Sequence, residues 1–410
     1  MILEVNKVSN NMATSPQLDD GTNMAQSGTF YEFFAGGGMA RAGLGEGWTC
    51  TFANDISEKK AESYRSNWGD DHLTVDNVYN LTVDNLPGIA DLAWGSFPCQ
   101  DLSLAGNGQG LKGERSSAFW GFWKLIQALK KDGRKPRSIV LENVYGTLTS
   151  HDGKDFEQIA KAVVREGYVF GALVIDAVYF APQSRPRLFI VCVAADALVP
   201  NCTNTALPSP AWHPDAVIRA YNRLSKTAKS AWKWWNPALP TQHVATLDDI
   251  IEREPTGVRW HTNEETDNLI AMMTDVNRRK VIEAQATGKT KVGTIYKRTR
   301  NSVQRAEVRF DGIAGCLRTP AGGSSRQTIM VVNGPNVRTR LVSPREMARL
   351  MGLPETYKLP ERYNDTYHLL GDGVVAPVVT HIREHILSPI LLANSSANAG
   401  TSLLTQRKRA

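Results

Sequence analysis

From Thr29 onward, short apolar runs alternate with glycine turns and amphipathic stretches, a rhythm that predicts strands interleaved with helices. Residues 29–33 and 48–54 read as strands. Between them Ala35, Gly36, Gly37 and Gly38 form a tight turn, and Met39 opens a helix reaching Leu44. Further strands are predicted at 90–94, 137–141, 169–178 and 188–193, the last two separated by a turn containing Pro182. Such alternation argues for an α/β fold built on a doubly wound sheet, with ligands at the carboxyl ends of its strands. Between about 200 and 336 the periodicity weakens and Trp, Pro, Thr and Arg become frequent, which predicts a separate module. Regular patterning returns at Ser343, a candidate helix cap followed by Pro344, and a last helix is expected at about 374–387. Residues 1–27 read as a flexible N-terminal segment and 392–410 as a disordered tail.

Composition narrows this only a little. A chain of 410 residues can hold two or three domains with a sizeable core, and 42% hydrophobic with 21% charged residues is ordinary for a globular protein. No apolar run approaches the roughly 20 residues of a membrane helix. The first residues lack a signal-peptide core, so a cytoplasmic location is expected. The five cysteines, at 50, 99, 192, 202 and 316, include no CxxC pair. That argues against structural zinc and against a disulfide framework, and it suits a reducing compartment. The net charge of +6 permits a polyanionic partner without requiring one.

Candidate chemistry gathers at the predicted strand ends. Phe34, Ala35, Gly36, Gly37 and Gly38 follow a strand and open a helix, and Asp55 ends the next strand 19 residues beyond Gly36. Glycines let a ligand approach the backbone, and an acid so spaced can bind ribose hydroxyls, which points to a nucleoside-containing cofactor. No Gly-Lys-Ser/Thr follows, so this is not a phosphate loop. Cys99 comes behind a rigid proline at the end of the strand 90–94 and before a glycine-rich stretch, placed as a nucleophile would be. A cysteine there is more often a small core residue. Its weight comes from company: Glu142-Asn143-Val144 and Gln183-Ser184-Arg185-Pro186-Arg187 are expected beside strands that flank the one leading to Cys99. One thiol, one carboxylic acid and two guanidinium groups would then share a rim.

Taken in order, these motifs resemble those of the DNA (cytosine-5) methyltransferases of compact bacterial or phage type. The likeness runs from about 29 to 387 except in the central module. It rests on Phe34 to Gly38, Asp55, Gly95-Ser96-Phe97-Pro98-Cys99-Gln100, Glu142-Asn143-Val144, Gln183 to Arg187, Arg340 to Tyr357 and Gly371 to Val379. The resemblance implies a Rossmann-like sheet that binds S-adenosyl-L-methionine, and a second, smaller target-recognition domain. Cofactor contacts are implied for Phe34, Ala35, Gly36, Gly38, Met39, Asp55, Ile56, Asp76, Asn77, Pro98, Asp372 and Val374. The chain departs from the usual pattern in carrying Asp55-Ile56 for a Glu and a large residue, Val75 for Gly, and Asp372 for Asn.

The implied chemistry is self-consistent. Cys99 would add to cytosine carbon 6, a protonated Glu142 would serve ring nitrogen 3, and Arg187 would hold the carbonyl oxygen with Arg185 behind it. The cytosine must leave the duplex to be reached. The resemblance makes the stretch after Cys99 a closing loop, with Gln100, Ser103 and Arg115 on the substrate. In the central module Lys297, Arg298, Arg300 and Arg305 form a basic stretch, and Arg318, Gly322, Gly323, Ser324 and Arg326 a polar loop; both are candidates for contacting double-stranded DNA. A cluster of Trp232, Trp234 and Trp235 is expected in the small domain's core. The expected organisation is a catalytic domain at 28–197 and 337–391 and a recognition domain at 198–336, acting as a monomer without metal. An RNA cytosine-5 methyltransferase and an inactive sequence-specific DNA-binding protein remain the rival readings.

Overall fold

The computed structural model describes residues 28–98, 118–241, 245–300, 303–319 and 325–396, with only the backbone of Arg300. Seven strands form its main sheet: β1 (Gly28–Phe33), β2 (Trp48–Asp55), β3 (Leu73–Val75), β4 (Leu92–Gly95), β5 (Ser138–Val144), β6 (Tyr168–Asp176) and β7 (Pro186–Ala194). Their spatial order is β3-β2-β1-β4-β5-β7-β6. The first five run parallel, and β7 runs antiparallel to both of its neighbours. Successive side chains point to opposite faces. Phe30, Leu92, Trp94 and Val140 therefore join one core layer, and Tyr31, Ala93, Ile139 and Leu141 the other. With both faces covered, these strands read as nearly unbroken apolar runs. The strand order reverses between β1 and β4, so the crevice beyond their carboxyl ends is where a ligand of such a sheet sits.

The chain's far end closes this crevice. Helix Met39–Leu44 packs on helix Ala376–Ile382. Their approach demands glycine, because a Cβ on Gly43 would lie 2.4 Å from the carbonyl oxygen of Ala376. Thr380 Oγ1 donates to the Gly43 carbonyl at 2.7 Å, and Arg383 to that of Leu44 at 2.7 Å. Helix Pro344–Leu350 starts at the expected cap: Ser343 accepts from the Glu346 N–H, and Glu346 reaches back to the Ser343 N–H. Glu346 also takes the wholly buried Arg340 in a bidentate pair, at 2.7 and 2.5 Å.

Two expectations need correcting. β8 (Asn204–Thr205) and β9 (Trp234–Trp235) form a small ribbon against the main sheet, and the tryptophan cluster goes with it. Trp235 Nε1 donates to the Val191 carbonyl in β7 at 3.0 Å, and Trp232 packs edge-on to Phe170 of β6. β6 is an edge strand whose free backbone groups need partners. Phe170 N–H donates to Ala231 and Lys233 N–H to Phe170, which draws the tryptophans onto the large sheet instead of the small one. The second correction concerns the C-terminus, where the helix continues through residue 396. Leu391 is buried, and Asn394 exchanges two hydrogen bonds of 2.9 Å with the backbone of Leu198. The remainder of that tail and the N-terminal segment lie outside the described residues.

A second sheet holds β10 (Lys291–Arg300), β11 (Val303–Arg309), β12 (Thr328–Asn333) and β13 (Asn336–Leu341), antiparallel in the order β11-β10-β12-β13. Ile295, Ala306, Val308, Met330 and Val332 bury one face against Val281 and Ala284 of helix Asp275–Ala286 and Met273 just before it. Among the described residues, no helix is long and apolar enough to cross a membrane.

Candidate active site

The glycine turn is held from three sides. Phe34, Gly36 and Gly38 all adopt positive φ (58°, 56° and 76°), a conformation that strains a phenylalanine and persists only where surroundings enforce it. Asp55 enforces part of it: one carboxylate oxygen accepts the Gly36 N–H at 2.8 Å, the other the Ser57 N–H at 2.8 Å. From behind, Tyr357 and Trp68 both donate to the Gly37 carbonyl, at 2.7 and 3.0 Å. Ala35 and Met39 are buried, and a Cβ on Gly373 would meet the Met39 thioether at 2.3 Å.

The open side faces the crevice. A Cβ on Gly36 would meet nothing within 4 Å, so the backbone there is bare. Ile56 beside it is 68% exposed, an apolar side chain with no cover. Asp76 adjoins: its N–H donates to the Asp55 carbonyl, and its carboxylate accepts from Asn77 N–H at 2.6 Å and Asn80 Nδ2 at 2.7 Å. The side chain of Asn77 caps the following turn. Asp372, opposite, pairs with Lys60 at 2.9 Å, and Val374 is buried. A bare glycine backbone, an uncovered apolar residue and flanking carboxylates suit a nucleoside carrying a cationic group.

The other half of the crevice lies at the ends of β4, β5 and β7. Glu142 is inside β5, next to β4, and β7 comes one place further out than expected. Asn143 Nδ2 donates to the Phe97 carbonyl at 3.1 Å, which ties the segment after β4 to β5. Pro98 is exposed there, and Cys99 lies outside the described residues, as do Gln100, Ser103, Arg115, Gly322, Gly323 and Ser324. Glu142 is buried, and loss of water pushes its carboxyl up despite the opposing charges of Arg187 and Arg185. Arg187 Nε lies 3.4 Å from Glu142 Oε1.

Arg185 does something the sequence did not reveal. It is 1% exposed and donates to the carbonyls of Leu317 (2.6 Å), Gly371 (2.8 Å) and Gly373 (2.6 Å). It thus staples the segment between β11 and β12 to the helix end that carries Asp372. Its fourth partner is Cys316 Sγ at 3.3 Å. Burial would raise that thiol, but Arg185, Arg187 and Arg318 pull it down to about 7. Gln183 is also structural, donating to the Leu350 carbonyl and accepting the Leu317 N–H. Glu32, Lys60 and Cys316 were missed from sequence; only Lys60, five residues after Asp55 at the start of the next helix, carried a readable signal.

The basic residues divide. Lys297 is half-buried, with its N–H bound to Ser325, whereas Arg298 and Arg305 are exposed and directly opposed across β10 and β11. Arg318 is exposed beside Cys316. Arg326 is half-buried, donating to Asn364 (2.6 Å) and lying over the Tyr363 ring. The side chain of Arg300 lies outside the described residues. Among the described residues no cluster could hold a metal ion.

Known proteins place this geometry in context. A sequence profile described as C-5 cytosine-specific DNA methylase matches residues 28–388. The type II methyltransferase M.HhaI of Haemophilus parahaemolyticus is 27% identical over 365 residues, covering 88% of this chain and 94% of the relative. The type II methyltransferase M.Sau96I of Staphylococcus aureus is 30% identical over 370 residues, covering 87% and 75% respectively. Among solved structures, the S. pombe Dnmt2 methyltransferase aligns with a TM-score of 0.58 at 17% identity, covering 89% of this chain and 99% of that one, a likeness of fold.

Proposed function

Because the chain belongs to the C-5 cytosine-specific DNA methylase family, we propose that it methylates carbon 5 of a cytosine flipped from double-stranded DNA, by way of a covalent Cys99 adduct. The observation that carries this reading is the pairing of the buried Glu142, near the end of β5, with the partly exposed Arg187 of β7, 3.4 Å apart beside the segment that leads to Cys99.

The family relation supplies the reaction, and the residues supply its parts. Carbon 5 of cytosine is a weak nucleophile. Thiolate addition at carbon 6 breaks the 5,6 double bond and moves an electron pair towards carbon 5 and the ring. The ring then needs a proton near nitrogen 3, and a carboxyl kept neutral by burial can provide it; the raised Glu142 meets that requirement. Arg187 would hold the carbonyl oxygen while its charge limits how far Glu142 rises. S-adenosyl-L-methionine, when bound, supplies an electrophilic methyl group. Phe34, Gly36 and Gly38 would hold it by backbone, Asp55 and Asp76 by hydrogen bonds, and Ile56 by apolar contact. Once carbon 5 is methylated, water takes its proton, the Cys99 thiolate leaves, and the nitrogen-3 proton returns to Glu142, which restores the aromatic ring.

The second sheet, with Lys297, Arg298, Arg305 and Arg318, would read or grip the duplex. The named relatives are type II methyltransferases, and a role beside a restriction enzyme, or else as a solitary or phage methylase, is the corresponding proposal here. The test is bisulfite sequencing of DNA from a methylation-free host expressing the protein or Cys99→Ser. Protected cytosine in one short motif, lost in the variant, is the expected result. Full conversion in both, with soluble folded protein, would sink the reading and turn attention to RNA or to binding alone.

A further inference from the structure

Asp372 and Lys60 sit on opposite walls of the crevice. Lys60 lies in the first turn of helix Glu58–Trp68, five residues after Asp55; Asp372 ends helix Tyr363–Asp372. Their 2.9 Å contact lies close to the glycine turn, since Asp55, which holds Gly36, also acts on Lys60, and Gly373 packs on Met39; both side chains keep solvent access, 28% for Lys60 and 42% for Asp372. An ion pair this exposed adds little to stability. What it does is set a positive and a negative charge side by side at the mouth of a ligand cleft, each with unused capacity. The ammonium has three donors and the carboxylate about four acceptor sites, and the contact with each other uses one of each.

Asp55 has less capacity left, because each of its oxygens already accepts an N–H, one from Gly36 and one from Ser57. Burial works against the charge on Lys60, yet Asp372 and Asp55 outweigh it and hold the amine above the ordinary lysine range. Lys60 therefore stays cationic at any physiological pH. Its partner Asp372 stands where the resembling family carries an amide, so the negative charge there is a departure from that pattern.

We propose that the Lys60–Asp372 pair reads the amino-acid end of the sulfonium cofactor, Lys60 taking its carboxylate and Asp372 its ammonium. The proposal rests on the methyl-transfer reading and adds Lys60 as a specificity-determining residue. An α-amino acid presents one anion and one cation a few bonds apart. A lysine and an aspartate held 2.9 Å apart are its electrostatic complement. Once the ligand covers the pair, water leaves and both contacts strengthen.

Calorimetric titration without DNA tests this, using S-adenosyl-L-methionine and 5′-methylthioadenosine, which keeps the nucleoside but lacks the amino acid. Lys60→Met should weaken the first about ten- to a hundredfold, the scale of one lost charge-assisted hydrogen bond, and leave the second within about threefold. Lys60→Arg should restore most of the loss. Equal weakening of both ligands, or of neither, overturns the proposal. Failure of the wild-type protein to bind either ligand would remove the methyl-transfer reading itself, and this inference with it.

Discussion

Glu32 lies directly under the glycine turn, 1% exposed, with Oε1 accepting the Arg41 N–H and Oε2 without a partner among the described residues. Burial pushes its carboxyl up from 4.5 to about 8, against the pull of Arg41. The folded protein therefore holds a proton there that the unfolded chain releases above pH 4.5. Stability from this group is complete below that pH, falls as pH rises, and is lost above about 8. The slope inside the window is about 1.4 kcal/mol per pH unit. Glu32→Gln should flatten it, so that urea unfolding at pH 5.5 and 8.0 gives closer midpoints in the variant than in the parent. At this scale the sequence was partly readable. Glu142 and Arg187 could be found because strand ends collect side chains, and they do meet. The work of Arg185 could not, because its acceptors lie 132, 186 and 188 residues away, and only the folded chain shows that they converge.

Elements of regular structure were more legible than their partners. All the strands expected from the alternation exist, and the Ser343 cap is present, because both signals are local. The destination of the tryptophan cluster was not legible: tryptophan content says that something is buried, whereas the exposed edge of β6 decides against what. The cap also permits a quantitative test. Ser343→Ala leaves the Glu346 N–H unpaired at the start of a buried helix, and a loss of about 1–2 kcal/mol in chemical unfolding is expected. Glu346→Ala should cost more, because it also strands the buried Arg340 without its carboxylate; about 3–5 kcal/mol is the scale for breaking such a pair.

Across the whole molecule, charge is arranged for a polyanion. Arg298 and Arg305 face each other across β10 and β11, exposed and with no carboxylate partner among the described residues. Like charges directly opposed weaken a strand pair, and a phosphate backbone between them would relieve the repulsion. Replacing both with Ala should lower the slope of log affinity for duplex DNA against log salt by about 2, since each phosphate contact contributes roughly 0.9. An unchanged slope would place the duplex elsewhere. One consequence of the closure between the two ends of the chain concerns its birth. The glycine turn is translated early, yet Tyr357, which pins Gly37, arrives 320 residues later. At roughly 5–20 residues per second, a ribosome needs on the order of 16–64 s to deliver that tyrosine. For that interval the nascent turn lacks its brace, and the helix that packs on Gly43 comes later still. A message cut short before this point yields a polypeptide with most of its sheet strands and no finished cleft, a product for chaperones and proteases rather than a weaker enzyme.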